Sequence, residues 1–366
     1  MLTIRDLTHF MEQWAPLTYQ ESYDNSGLLV GDSNTEITGI LVTLDATEAV
    51  VDEAIAKGCN VVVAHHPIIF KGLKKLTGRN YVERTVIKAI KNDVALYAAH
   101  TNLDNIAGGV NFRIAERLEL QHVQILAPSA QTLTKLITFV PIADTQRVLD
   151  ALHKAGAGQI GQYSHASFRV EGMGAYQAEA GANPTLGQIG TYHQEPEHRI
   201  EVILPTQQQG PIIAALRQAH PYEEVAYDLI PLNNPNQEVG AGAVGNLPEP
   251  MTETEFFTHL KTQLKVTLIR HTPRLNRPVR RIAVCGGVGS FLFGDAIRAG
   301  ADVFVTADYK YHEFFDAEGR IVIADINHYE SEQFTKQLIQ ERLSENFDNF
   351  AVILSETVTN PVQYFL

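Results

Sequence analysis

Two short apolar runs, each ending abruptly in residues that can bind a metal, limit what this chain can become. Val61, Val62 and Val63 lead through Ala64 into His65-His66-Pro67, and Val94 to Ala99 lead into His100-Thr101-Asn102-Leu103-Asp104. Apolar runs of this length, alternating with helical segments, read as buried parallel strands of an α/β protein. In open parallel sheets the functional crevice lies beyond the carboxyl ends of the strands. His65, His66, His100 and Asp104 would all stand there. Imidazole and carboxylate together suit zinc, iron or manganese. A single histidine at a strand end is ordinarily just a hydrogen-bonded polar residue. Two in succession, followed by a proline that fixes the backbone and denies it a helix, are harder to dismiss.

The rest of the chain supplies the frame. Its 366 residues are enough for two domains. Thr3 caps a first helix with Asp6 three residues on, and Leu7, Phe10, Met11 and Trp14 form its apolar face. Residues 23–32 read as a turn and a short apolar run, and Ile37 to Leu44 as a strand. Asp45 and Glu48 have the form of a capping box for the next helix, which Gly58 ends. Gly108 and Gly109 mark the start of a helix with Ile114 and Leu118 on its apolar face. From Leu133 to Leu232 the order is strand, helix, strand, strand, helix, strand, the ferredoxin-like βαββαβ pattern. Within it, Glu171 to Gly190 has no clear period and reads as a loop. The Asn/Pro/Gly-rich stretch Leu232 to Pro250 reads as a linker.

The last third repeats the first. Ala54-Ile55, Gly58, Val61 and Val63 recur at the same spacing as Ala296-Ile297, Gly300, Val303 and Val305. VALYAAHTNLD resembles RIVIADINHYE, and each precedes a helix containing Glu-Arg-Leu. Two similar α/β halves with an insertion between them follow, at 1–130, 131–235 and 236–366. In the second half the strand Ile321 to Ala324 leads to Asp325, and His328 and Glu332 then share one helical face. Taken alone they read as a surface pair. With the halves stacked about a pseudo-twofold axis they meet His65, His66 and Asp104. Three histidines and two carboxylates exceed one catalytic zinc with an open position, and fit two ions roughly 3.5–4 Å apart with a bridging carboxylate. Gly286-Gly287-Val288-Gly289 hints at phosphate binding, but it lacks the lysine of a P-loop and the full GxGxxG pattern.

A net charge of −13 without a Lys/Arg run argues against general duplex DNA binding and leaves room for a small anionic substrate. Cys59 and Cys285 form no CxxC, which fits a reducing cytoplasm. The N-terminus has an amphipathic helix pattern rather than that of a signal peptide, and no apolar run approaches the ~20 residues that span a bilayer.

AHHPIIFKGLKKL, YAAHTNLD, CGGVGS, TADYKYH and NHYESE together resemble the Nif-three-like family, often labelled GTP cyclohydrolase I type 2 homologues. HPYEEVAYDLIPL, from His220 to Leu232, is similar to the CutA-like (PII-like) domain inserted in the longer bacterial members. The resemblance spans essentially the whole chain. It implies a Nif-three-like core with a dinuclear metal site at His65, His66, Asp104, His328 and Glu332. It also implies two divalent ions per chain and a toroidal homohexamer. Ala307 and Ser26 stand where the family often has Gly and Val, and neither is a ligand. The family label implies GTP ring opening, and two-metal chemistry suits nucleotide or phosphodiester hydrolysis equally, so the expectation is a metal-dependent hydrolase of a nucleotide-like substrate, cyclohydrolase-like or phosphodiesterase-like. The alternative is a non-catalytic metal-binding scaffold or regulator whose insert senses a partner. His100, Asp308, Lys310 and His312 are candidates for proton transfer or for supporting the ligands, each set against the role of an ordinary polar loop residue.

Overall fold

The computed structural model describes residues 2–347 and 350–365. The chain divides into two compact units, Met1–Pro128 with Gln237–Leu366, and Ser129–Asn236. Strands β1 (Gly27–Val30), β2 (Ile40–Asp45), β3 (Val61–His66), β4 (Ala95–Ala98) and β5 (Gln121–Ser129) come first. The smaller unit carries β6 (Leu133–Pro141), β7 (Phe168–Gln177), β8 (Tyr192–Pro205) and β9 (Tyr227–Leu232). The chain then gives β10 (Asn236–Met251), β11 (Arg270–His271), β12 (Val279–Val288), β13 (Val303–Ala307), β14 (Val322–Asp325) and β15 (Val352–Leu354).

The larger unit is a mixed α/β body with two sheets, ordered β1-β4-β3-β2-β15 and β11-β14-β13-β12-β10-β5. Their centres follow one plan. Three parallel strands, β2-β3-β4 or β12-β13-β14, are flanked by an antiparallel strand, β1 or β11. Period-2 alternation explains the unbroken apolar runs. Val61 and Val63 enter a core shared with Val303 and Val305 of the second sheet, while Val62 and Ala64 face a separate core against the helix Glu48–Ala56. Both faces are buried, as parallel strands require. The repeat is interrupted at the edges. β15, which follows the second half, pairs with β2, and β5, which precedes the insertion, lies beside β10.

The first helix, Ile4–Trp14, has the Thr3–Asp6 capping box read from sequence. The second does not have the cap read for it. Thr47 caps Glu48–Ala56, and Asp45 is the last residue of β2, because the strand stays in register with β3 as far as the pairing of Asp45 with His66. Most of the stretch Leu232 to Pro250 is not a linker but strand β10. Its glycines allow backbone to approach where a side chain cannot fit: a Cβ on Gly240 would lie 2.2 Å from the Ala127 carbonyl oxygen. Among the described residues no helix is long and apolar enough to cross a membrane.

The smaller unit has strand order β7-β8-β6-β9. The helices Thr145–Lys154 and Gln209–Ala219 cover one face through Val148, Leu152, Ile212 and Leu216, against Leu136, Val140, Ile200 and Val202. The stretch read as a loop is shorter than expected. Glu171 to Gln177 continue β7 and pair with β8 from His198 to Tyr192. Gly174 permits this, since a Cβ there would come within 2.1 Å of the Glu197 carboxylate.

The strands on either side of the insertion, β5 and β10, are neighbours in one sheet. Replacing residues 131–235 by a short Gly/Ser bridge is therefore expected to leave a core that unfolds in one cooperative transition. Circular dichroism and size-exclusion chromatography check this, and an insoluble or molten product would refute it.

Candidate metal centre

β2 and β3 end at the same level, which sets Asp45 beside His66. β4 ends at Ala98, and the short helix Thr101–Asp104 follows His100. In the second half the helix His328–Glu332 follows β14. The two sets meet. His66 Nε2 lies 2.9 Å from Glu332 Oε2 and 3.3 Å from His328 Nε2. His328 Nε2 is 3.1 Å from the same Glu332 oxygen. His65 Nε2 stands 3.7 Å from Asp104 Oδ1 and 3.8 Å from Glu332 Oε2.

Each imidazole is held from behind through Nδ1. The acceptors are the Ala99 carbonyl for His65 at 2.7 Å, Asp45 for His66 at 2.7 Å, Asp24 for His100 at 2.8 Å and Asp308 for His328 at 2.6 Å. A carbonyl or an ionised carboxylate only accepts, so each Nδ1 donates and each Nε2 is left for the centre. Asp24 also accepts from the backbone and hydroxyl of Thr101.

A cation fits this donor set. His65 Nε2 and Asp104 Oδ1 are buried and have no hydrogen-bond partner. Buried polar atoms are rarely left so. An imidazole lone pair and a carboxylate oxygen 3.7 Å apart are at the spacing of two ligands on one ion. Three sets have donor atoms within 4.8 Å of one another: His65 with Asp104 and Glu332, His66 with His328 and Glu332, and His65 with His66 and His100. Glu332 belongs to two of them.

The electrostatics show how strongly the centre attracts positive charge. Burial resists a charged His66, but its hydrogen bonds to Asp45 and Glu332, and their charges, raise it to about 9. The same contest, with Glu332 and Asp308 as neighbours, lifts His328 to about 11. Burial first, then the charge of Glu332, pushes Asp104 up to about 7. Glu332 is buried too, yet His328 and the other imidazoles hold it well below the usual carboxylate range.

The paired glycines at the end of β12 serve this centre through their backbone. The Gly286 amide donates to Asn111 at 2.9 Å and the Gly287 amide to Ser331 at 3.0 Å, so neither is free for a phosphate. Gly287 has φ +59°, and a Cβ on it would lie 2.6 Å from Glu332 Oε1.

The structure sorts the remaining candidates. His100 joins His65 and His66. Asp308 touches the centre through His328. Lys310 and His312 are exposed and stand apart: Lys310 reaches Glu313 at 3.6 Å, and the His312 ring lies among Tyr311 and Phe315. Asp24 and Asp45 were not read as part of the site. Equal strand lengths, ILVTLD beside VVVAHH, carried the signal for Asp45. Nothing local marks Asp24. A cavity of about 520 Å³ opens over the centre.

The sequence pattern of the Duf34/NIF3 (NGG1p interacting factor 3) family matches residues 2–361. A Halalkalibacterium halodurans protein named "GTP cyclohydrolase 1 type 2 homolog" is 39% identical over 358 residues, covering 96% of each chain. A Bacillus subtilis protein of the same name is 39% identical over 366 residues, covering 98% of each. The crystal structure of a Bacillus cereus protein related to NIF3 superposes with a TM-score of 0.89 at 39% identity, covering 100% of this chain and 99% of that one. A Staphylococcus aureus structure gives 0.77 at 31% identity, with the same coverage.

Two consequences can be measured. His66 at about 9 and His328 at about 11 are protonated at pH 7.5, and a metal ion must displace those protons. Zinc or manganese binding is expected to release on the order of two protons per chain and to weaken as pH falls. Titration calorimetry in buffers of different ionisation enthalpy reads this. Gly287→Ala, crowding Glu332, is expected to reduce metal affinity by ~10- to 100-fold, the range for a disturbed ligand support.

Proposed function

This chain belongs to the Duf34/NIF3 family, and from that premise we propose that it is a dinuclear metal-dependent hydrolase of small, anionic, nucleotide-like substrates. His65, Asp104 and Glu332 would hold one divalent ion, and His66, His328 and Glu332 the other, with Glu332 shared. The observation that carries this reading is the orphaned pair, His65 Nε2 and Asp104 Oδ1, facing each other in a buried crevice. The mixed nitrogen and oxygen donors suit zinc, iron or manganese. Two such ions would lower the pKa of a bound water and polarise an electrophile. The chain's own share is orientation and proton handling. Asp45, Asp308 and the Ala99 carbonyl fix the ligand rings, which raises their basicity and narrows their geometry. His100, backed by Asp24, stands at the same crevice and is the group placed to take up or return a proton.

The relatives' name supports nucleotide chemistry, and a cavity of about 520 Å³ is within the range of small-molecule sites. We further read residues 131–235 as a CutA-like, ferredoxin-like insert between core halves 1–130 and 236–366. The assembly would be a toroidal homohexamer working in the cytoplasm.

Protein purified without chelator should contain about two transition-metal ions per chain. Unchanged metal content in the double variant His65→Ala/Glu332→Ala would remove the proposed centre. His100→Ala should keep the metals and lower turnover of a nucleotide panel by ~100-fold or more, the usual weight of a general base or acid. Full metal content with no turnover by the unaltered protein would favour a metal-binding scaffold instead.

A further inference from the structure

Resting on the reading of this crevice as a nucleotide-type site, we infer that it takes the planar ring of its substrate on an aromatic rim and discriminates against polyphosphates. The first observation is the rim. Tyr23, Phe70 and Phe291 line the cavity with 68%, 49% and 65% of their surfaces exposed, and Tyr329 joins them. The three exposed rings come from separate segments: ahead of β1, after β3 and in the short 3₁₀ turn Ser290–Leu292 that follows β12. Phe70 is tied to the centre itself, its ring meeting that of His100 edge-on at 5.6 Å. Exposed aromatic side chains that converge on one opening are a stacking surface for a flat heteroaromatic ring.

The second observation is charge. The carboxylates lining the cavity are Glu21, Asp45, Asp104, Asp308, Glu330 and Glu332, and among the described residues lining it none is lysine or arginine. Two divalent ions would bring four positive charges. Against them stand Asp104 and Glu332 at the centre and Asp24, Asp45 and Asp308 behind the histidines, five carboxylates in all. The loaded centre is thus compensated. Ions held there would supply attraction for a single phosphoryl or carbonyl group, but a triphosphate would run past the centre into acidic walls. Sites built for polyphosphates instead converge lysine, arginine and free backbone amides on the chain of phosphates. Here the amides of Gly286 and Gly287 are already engaged by Asn111 and Ser331.

The test uses the whole chain and three ligands that share a base: guanosine, GMP and GTP. Binding is measured by equilibrium dialysis, on metal-loaded and on chelator-treated protein. Guanosine and GMP are expected to bind, and GTP ~10-fold or more weakly than GMP, as like charges brought together require. Phe70→Ala and Phe291→Ala should each weaken guanosine binding by ~10-fold, the order of one lost base stack, while Phe291→Tyr retains it. Val288→Lys, which adds a cation at an exposed cavity position, should improve GTP relative to guanosine. GTP binding tighter than GMP, no guanosine binding, or guanosine affinity untouched by both alanine variants would each overturn the inference. The rim side chains belong to the chain, so ring binding by chelator-treated protein is read independently of the metals. Failure of metal loading or of hydrolysis, with the ring preference intact, would count against the hydrolase alone.

Discussion

A single buried carboxylate sets the terms for the larger unit. The Glu332 side chain is 3% exposed, and at that depth a negative charge persists only beside positive charge. It is surrounded by imidazoles from both halves: His65 and His66 at the end of β3, and His328 from its own helix. That one carboxylate therefore ties the halves together, accepting from imidazoles on each side of the crevice. Asn111 adds a second tie. Its side chain donates to the Asp104 carbonyl and accepts from the Gly286 amide, so the Asp104 segment of one half and the glycine-rich end of β12 in the other share one buried amide.

Around that charge the histidines are fixed rather than merely present. Three of the four Nδ1 atoms rest on aspartates and the fourth on a backbone carbonyl. Those acceptors are anchored in turn: Asp45 by Thr359, and Asp24 by Thr101. Rings held this way keep one orientation with Nδ1 as the donor, a preorganisation that mobile surface histidines lack. The backbone conforms as well. Asn327, just before His328, adopts φ +70° and ψ 158°, a region that disfavours any side chain. The chain thereby turns sharply enough to start a helix with His328 as its first residue.

What could be read from sequence followed from how local each signal was. β3 and β4, with the histidines at their ends, were legible because an apolar run and its polar terminus are contiguous. The match of the last third to the first brought His328 and Glu332 to the same crevice, where neither residue advertises itself. The aspartates behind the rings were harder. Asp24 is 76 residues from His100 in sequence, and only the tertiary fold joins them. Asp45 sat where a helix cap is common, and the local capping pattern outweighed the strand register that claims it. β10 was hidden by its own glycines, which normally mark loops but here admit Ala127 at close range. His312 belongs to the same short motif, TADYKYH, as Asp308. The short 3₁₀ segment Tyr311–Ala317 carries it to the surface.

The exchanged edge strands bear on how the molecule is made. The first sheet gets its β2-side edge only from β15, near the far end of the chain, and the second is flanked by β5, from before the insertion. A ribosome releasing the N-terminal half thus releases an unfinished sheet. The open side of β2 waits through the synthesis of some 300 residues, from Asp45 to Val352, for the strand that closes it. Pairings that distant are slow to form, and an open strand edge is a template for the wrong partner. The smaller unit lies inside that interval as a self-contained sheet with its own core. It can fold while the larger one is still waiting, so the insertion lengthens the exposure of the β2 edge by the time taken to translate it.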